Sequence, residues 1–312
     1  MSFGGHSFLL APIRGVTDLA YRNAIQRYFP GFDGALAPYL PLGRDQARLD
    51  RALLQLRPEH NQLPTQPQLL CNSLEHFLPL ARELHAMGHA SVNLDLGCPY
   101  PMVTDRKLGA RLLAEPKRLI SLLDALVAES PIKLALKMRL GYDDSRDCEA
   151  IVPAINRLGI DDVTIHARIA KDLYRGPVDV DAFDRVAQKL NTVPTYNGSI
   201  CSRADLETFA ARLSYVRSWM IGRGALSDLG LVSRLKGGKP ADFRGTLKSL
   251  HDDVMEAIWG KSHLVDHMRG HWKYWADAFV DPTRLFKAFK KARNIADYLK
   301  AKDWAFTQPT LF

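Results

Sequence analysis

The sequence predicts an α/β protein, a (β/α)8 TIM-barrel with a C-terminal all-helical domain, and three observations carry that expectation. Short apolar runs alternate with longer amphipathic stretches up to about residue 240, the pattern of successive β/α units around a parallel sheet. Eight such runs occur, at 8–12, 34–37, 66–71, 91–95, 132–139, 162–166, 193–197 and 216–221, and eight is a barrel count. From Phe243 to Trp304 no strand-like run remains, only helical periodicity, and four of the five tryptophans lie there. The expected boundary places a barrel at 1–238 and a helical domain at 239–312.

Each element has a local reason. Gly4-Gly5 precedes the first strand instead of following it, so the dinucleotide fingerprint of an open doubly wound sheet is absent. Helices are expected at 74–87, 116–128, 148–158, 181–190 and 203–213, between the strands. In the tail, Leu285, Phe289, Ala292, Ala296 and Leu299 make an apolar stripe. Arg284, Lys287, Lys290, Lys291 and Arg293 lie off that stripe, which reads as one amphipathic helix with a basic flank. That flank is either a solvated face or a contact for phosphates.

Composition narrows the class. The chain has 312 residues, 46% hydrophobic and 24% charged, as soluble globular proteins do. The N-terminal stretch MSFGGHSFLLAPIRG lacks both the basic region of a signal peptide and an apolar run long enough to span a membrane. Cys71, Cys98, Cys148 and Cys201 form no CxxC pair or zinc spacing and read as reduced thiols of a cytoplasmic protein. His263, His267 and His271 recur at every fourth residue but bring no carboxylate pattern of a metal site, so no metal is expected. The net charge of +8 fits a polyanionic partner without requiring one.

Strand alternation locates the candidate site. Val92, Leu94 and Leu96 share one face, and Asn93 and Asp95 the other. Leu134, Leu136 and Met138 oppose Lys133, Ala135, Lys137 and Arg139, while Val163, Ile165 and Ala167 oppose Thr164, His166 and Arg168. Three successive strands thus turn a polar face inward, and the polarity gathers at their C-terminal ends, where barrel enzymes build active sites. Any one of these residues alone would be read as structural; together, inward charges need partners. YNGSI and MIGRGAL follow the last two strands, where glycines let backbone N–H groups approach a phosphate and Arg223 adds charge. Cys98, in GCP just beyond the fourth strand, is either a small buried hydrophobe or a chemical group.

Taken together, LAPIRGVTD, Gln68, LGCPYPMV, LGARLL, LKMRLGYDD, IHARIAKDLYRGP, YNGSI, MIGRGAL and the tail motif MRGHWKYW resemble the tRNA-dihydrouridine synthases over almost the whole chain. The resemblance implies an NAD(P)H-dependent oxidoreductase with FMN in the barrel and NADPH as reductant. Hydride would pass from reduced FMN to C6 of a uridine in tRNA, and Cys98 would give the proton to C5. By motif position, Pro12, Ile13 and Arg14 lie along the flavin, Gln68 bonds its ring and Lys137 faces its electron-accepting edge. His166 belongs to the same pocket, and Asn197, Gly198, Ser199, Gly222 and Arg223 form the phosphate cradle. Asp95, Arg139, Arg168 and Tyr174 would lie near the base or RNA, and Arg269, Lys287, Lys290, Lys291 and Arg293 would meet the tRNA body. The overall proportions resemble the short subfamily acting on position 16, with tRNA as partner, a monomeric state and no membrane.

The chain also departs from the family pattern. Asp95 replaces the usual Asn, and Pro101 replaces a basic residue after the cysteine. Arg14 stands where a small or acidic residue is usual, Ala37-Pro38 replaces Thr-Glu, and Ser199 replaces an acidic residue. An ionised carboxylate accepts hydrogen bonds where an amide can also donate, so Asp95 keeps open another pyrimidine or another RNA as target. A non-catalytic RNA-binding relative is the remaining alternative.

Overall fold

The computed structural model describes residues 3–41, 45–238 and 242–312. Nine parallel stretches form one sheet: β1 (Ser7–Leu10), β2 (Gly34–Leu36), β3 (Thr65–Gln66), β4 (Gln68–Leu69), β5 (Ser91–Leu96), β6 (Lys133–Gly141), β7 (Val163–Ile169), β8 (Thr195–Asn197) and β9 (Ser218–Ile221). β1 lies between β2 and β9, and the order then runs back to β4. β3 and β4 are two halves of one strand: Thr65 and Gln66 pair with β2, while Gln68 and Leu69 pair with β5. Pro67 separates them because it has no N–H to give the ladder, although its carbonyl still accepts from Asn93 N at 2.9 Å. The eight expected strand runs all appear, and the sheet curls into a nearly closed barrel.

The alternation expected from sequence is realised. Val92, Leu94, Leu96, Leu134, Leu136, Met138, Val163, Ile165 and Ala167 are all buried in the main core, between sheet and helices. Inside the barrel, Leu9, Ala11, Leu36 and Met220 form a small separate apolar cluster. The rest of the interior is polar: Gln68, Asn93, Asp95, Arg139, Thr164, His166, Arg168, Thr195 and Asn197 are all buried. The interior therefore has an apolar side near β1, β2 and β9 and a polar side across β4 to β8.

Several of the intervening helices begin on side-chain caps. Ser73, Asp179 and Ser202 each accept a hydrogen bond from the backbone N–H three residues on, which satisfies an otherwise orphaned donor. The region expected at 148–158 starts as a 3-10 turn, Asp147–Ile151, and becomes α-helical only over Val152–Arg157.

The tail contains helices Phe243–Glu256, Leu264–Trp275, Pro282–Lys291 and Ile295–Ala305. Their centre is aromatic. Trp272 stacks on Phe289 at 4.0 Å, and the Tyr298 hydroxyl meets both Trp272 Nε1 at 3.0 Å and His251 Nε2 at 2.6 Å. The single amphipathic helix expected along 285–299 is instead two helices. Ala292 leaves the helical conformation at ψ 120°, and Asn294 caps the next helix by accepting from Asp297 N. Leu285, Phe289 and Ala292 are buried as expected, but Ala296 is exposed and Leu299 only partly buried, because the chain turns between them. The expected boundary at 238/239 adjoins residues 239–241, which lie outside the described residues. No helix among the described residues is long and apolar enough to cross a membrane.

Candidate active site

Register places the inward polar residues side by side. Asp95 pairs with Lys137 across β5 and β6, Arg139 with His166 across β6 and β7, and His166 with Asn197 across β7 and β8. At the C-terminal ends of these strands lies a cavity lined by Pro12, Ile13, Gly97, Lys137, Arg139 and His166, and by Arg168, Tyr174 and the 197–201 and 220–224 loops. Twelve of the expected site residues thus meet in one place: Pro12, Ile13, Lys137, Arg139, His166, Arg168, Tyr174, Asn197, Gly198, Ser199, Gly222 and Arg223.

The cavity is electropositive, and its charges are constrained. Burial lowers Lys137 to about 8, with Arg139 pushing the same way and Asp95 opposing. Burial and then the neighbouring Arg139 hold His166 well below its ordinary value, so it is neutral near pH 7. Arg168 Nη1 lies 3.1 Å from His166 Nε2. A guanidinium can only donate, so Nε2 accepts and the imidazole proton sits on Nδ1. The other Arg168 nitrogen, Nη2, donates to Ser199 Oγ at 2.7 Å and to the Gly176 carbonyl at 2.8 Å. Arg139 Nε donates to the Gly97 carbonyl at 3.0 Å, and its Nη1 to that of Ile169 at 2.8 Å. Two buried donors here, Arg139 Nη2 and Arg168 Nε, have no protein partner. Orphaned cationic donors beside a cavity suit an anionic or carbonyl-rich ligand.

The loop after β8 fits a close-approaching anion. Gly198 and Ser199 have φ of 143° and 49°, backbone that favours glycine and small polar residues, and both line the cavity. A Cβ on Gly198 would come within 2.9 Å of Val178 Cγ1, and one on Gly224 would overlap the Ile200 carbonyl oxygen. Gly224 was not singled out from sequence, although the second glycine of GRG was its signal. Asn197, expected in the cradle, spends its amide on the Met220 carbonyl at 2.7 Å and so holds β8 to β9.

Cys98 stands beside this cavity, half-buried, in a loop that other residues shape. Asp95 Oδ1 accepts from Gly97 N at 2.8 Å and from Cys98 N at 3.0 Å, so Asp95 fixes the turn that presents the thiol. Gly109, from LGARLL, lies under it at φ 58°, and a Cβ there would sit 2.7 Å from the Cys98 carbonyl oxygen. Burial pushes the thiol up to about 11, and the nearby Asp95 carboxylate adds to the rise. The sulfur is therefore a thiol at neutral pH, suited to giving a proton and not to nucleophilic attack.

Other expected residues are elsewhere. Gln68 is buried in the barrel, donating to Asn93 Oδ1 at 3.1 Å. Arg14 reaches the Tyr39 hydroxyl at 3.0 Å, and Tyr39 packs in the same small cluster as Cys98. Lys287, Lys290, Lys291 and Arg293 are exposed in the tail. Arg269 is not a free cation: Nε and Nη2 donate to the carbonyls of Phe289 and Ala292 at 3.2 and 2.7 Å, and Nη1 pairs with Asp266. It caps the end of the Pro282–Lys291 helix, where the last carbonyls lack intrahelical partners. Two of the three tail histidines pack against the barrel side, and His263 is exposed. His271 stacks between Tyr21 and Trp275, and His267 lies 3.3 Å from Asp18 of the barrel.

Known proteins resemble the chain along nearly its whole length. A family model described as dihydrouridine synthase (Dus) matches residues 9–305. The tRNA-dihydrouridine(16) synthase of Ralstonia nicotianae is 29% identical over 314 residues, covering 93% of each chain. The probable tRNA-dihydrouridine synthase of Rhodobacter capsulatus is 26% identical over 311 residues, covering 92% of each. The tRNA-dihydrouridine(16) synthase of Shewanella oneidensis is 27% identical, covering 93% of this chain and 96% of its own. With the inward polar strands, the glycine-shaped loop and the Cys98 turn in the order its motifs require, this chain belongs to the dihydrouridine synthase family.

Proposed function

We propose that this protein reduces uridine to 5,6-dihydrouridine in tRNA, with FMN as cofactor, NADPH as reductant and Cys98 as the proton donor. The observation that carries this reading is the protonated Cys98 thiol at the edge of a cationic cavity that holds Lys137 and a neutral His166.

The residues present fit FMN. The glycine-lined 197–201 and 220–224 loops with Arg223 suit the phosphate, and the unpartnered donors of Arg139 and Arg168 suit an oxygen-rich ligand. Lys137 supplies positive charge where a reduced isoalloxazine carries negative charge. When bound, the flavin supplies the hydride that C6 of the uracil receives. Cys98 holds a proton for C5, where negative charge develops as C6 is attacked. Asp95 orients the thiol through its bonds to the Gly97 and Cys98 amides.

Asp95 also bears on the base. Its Oδ1 is committed to the loop, which leaves the second carboxyl oxygen as the one that would meet the substrate. Burial raises the Asp95 carboxyl above the usual carboxylate range, against the opposing pull of Lys137. In its protonated form that oxygen donates to a uracil carbonyl, as the amide of Asn would. In its ionised form it would favour an amino group such as that of cytosine, the second reading this residue keeps open.

The barrel at 1–238 would carry the chemistry, and 239–312 would hold the tRNA through Lys287, Lys290, Lys291 and Arg293. The names of the Ralstonia and Shewanella relatives support position 16 as the target. Nucleotide-resolution mapping of reduced pyrimidines in RNA from cells with and without the gene tests the proposal. Loss of one dihydrouridine, restored by the wild type and not by Cys98→Ala, is expected. An unchanged dihydrouridine pattern would overturn it, and loss of a different reduced base would favour the second reading.

A further inference from the structure

We infer that Tyr100 and Tyr174 form a stacking subsite at the barrel mouth for an unpaired nucleobase of the RNA, flanking the base that Cys98 protonates; this rests on the RNA-reducing reading above. Tyr100 is 48% exposed, Tyr174 39% and Met102 68%, an apolar rim around a site whose interior is cationic. The two tyrosine rings lie 6.3 Å apart and are tilted by 44°.

The backbone at both tyrosines is constrained. Tyr100 precedes Pro101, which biases its backbone to extended conformations, and its own φ and ψ are −73° and 138°. Leu173, immediately before Tyr174, has φ 52°, a strained value for a branched residue that persists only where the surroundings enforce it. The Tyr174 ring is then flanked by two guanidinium groups, Arg139 at 5.1 Å and Arg223 at 4.9 Å. The exposed Tyr100 ring, backed by Tyr174, points to a ligand with a flat π surface, which can stack on it.

The charge around the pair selects the ligand. Arg223 is exposed beside Tyr174, and the chain carries a net +8, so a polyanion bearing flat rings matches both features. A nucleobase next to the target supplies the ring, while Arg223 stays with the cofactor phosphate assigned to it above. Pro101, next to Tyr100, stands where a basic residue is usual. The arrangement exchanges a charge at that loop for a stacking surface one residue earlier.

The test uses the full-length flavoprotein, tRNA, and a short single-stranded oligoribonucleotide carrying 2-aminopurine beside a uridine. Stacking on Tyr100 is expected to quench the 2-aminopurine on binding, and Tyr100→Ala to abolish the quench and weaken binding roughly five- to a hundredfold. With tRNA, Tyr100→Ala raises KM by a similar factor and leaves kcat nearly unchanged, while Tyr100→Phe and Tyr100→Trp retain wild-type values. Unchanged quenching and KM in Tyr100→Ala would overturn the inference, as would a loss that Tyr100→Phe and Tyr100→Trp share. A wild type that quenches the probe but reduces no tRNA would instead count against the functional reading alone. Loss of binding to a protein partner with RNA binding intact would reassign the surface.

Discussion

At Cys98, chemistry depends on a proton that stays bound until the substrate arrives. Burial raises the thiol to about 11, so it remains protonated throughout the neutral range. Cys98→Ala is expected to lower dihydrouridine formation by about 10²–10⁴-fold, the usual worth of a positioned acid. Bound flavin, read from its visible absorbance, should be retained, since Cys98 is not among the cavity-lining residues. Lys137 sets a second limit. Its value of about 8 lies below that of a free lysine, so its charge is present below pH 8 and lost above it. FMN affinity of the apoprotein, followed by fluorescence quenching, should therefore fall as pH rises through about 8, and Lys137→Met should flatten that dependence. Asp95→Asn offers a sharper test of the base site. An amide keeps the Oδ1 acceptor for the Gly97 and Cys98 N–H groups and offers a permanent donor to uracil. The variant should retain wild-type activity on uridine, whereas loss of activity on uridine would favour an amino-bearing base.

Among the elements, the LGARLL turn sets the position of the thiol. Gly109→Ala would drive a Cβ to 2.7 Å from the Cys98 carbonyl at a φ of 58° that side chains resist. The expected cost is about 1–3 kcal/mol from overpacking, read as a lower midpoint in urea, together with loss of activity. Much of this level was legible in advance. The strands were visible because one face of each is apolar, and the site because β5, β6 and β7 place Asp95, Lys137, Arg139, His166 and Arg168 on the other. What escaped was decided by single tertiary contacts. The apolar spacing at 285–299 continues through Arg293 and Asn294, so periodicity alone extends the helix. The break comes from the Asn294 cap and from Arg269, whose guanidinium takes the carbonyls of Phe289 and Ala292. Arg269 looked like a surface cation because no local pattern marks a side chain that reaches another helix's end. Gln68 likewise faces the interior as its strand position requires, but its partner is Asn93 and not the cavity.

For the molecule as a whole, the question is whether the tail grips RNA or merely carries charge. The two parts are joined by specific contacts: His267 meets Asp18, the cap of the first barrel-side helix, and Phe243 packs on Phe29 at 5.6 Å. A tail held in this way can present its cations at a defined place relative to the barrel mouth. Exposed ion pairs of such side chains add little stability, so replacing Lys287, Lys290, Lys291 and Arg293 together with Gln should leave the thermal midpoint nearly unchanged. Binding should respond differently. Each phosphate contact releases counterions, so a four-contact loss should reduce the slope of log affinity against log salt by roughly 3 for tRNA. Arg269→Gln should give the opposite pair of results. It strips two carbonyl caps from a partly buried site, so the thermal midpoint falls while the salt slope changes little. Filter binding across a salt series and a thermal melt on both variants decide the matter. A quadruple variant with an unaltered slope would place the RNA on another face, and a lowered slope in Arg269→Gln without loss of stability would return that arginine to the RNA surface.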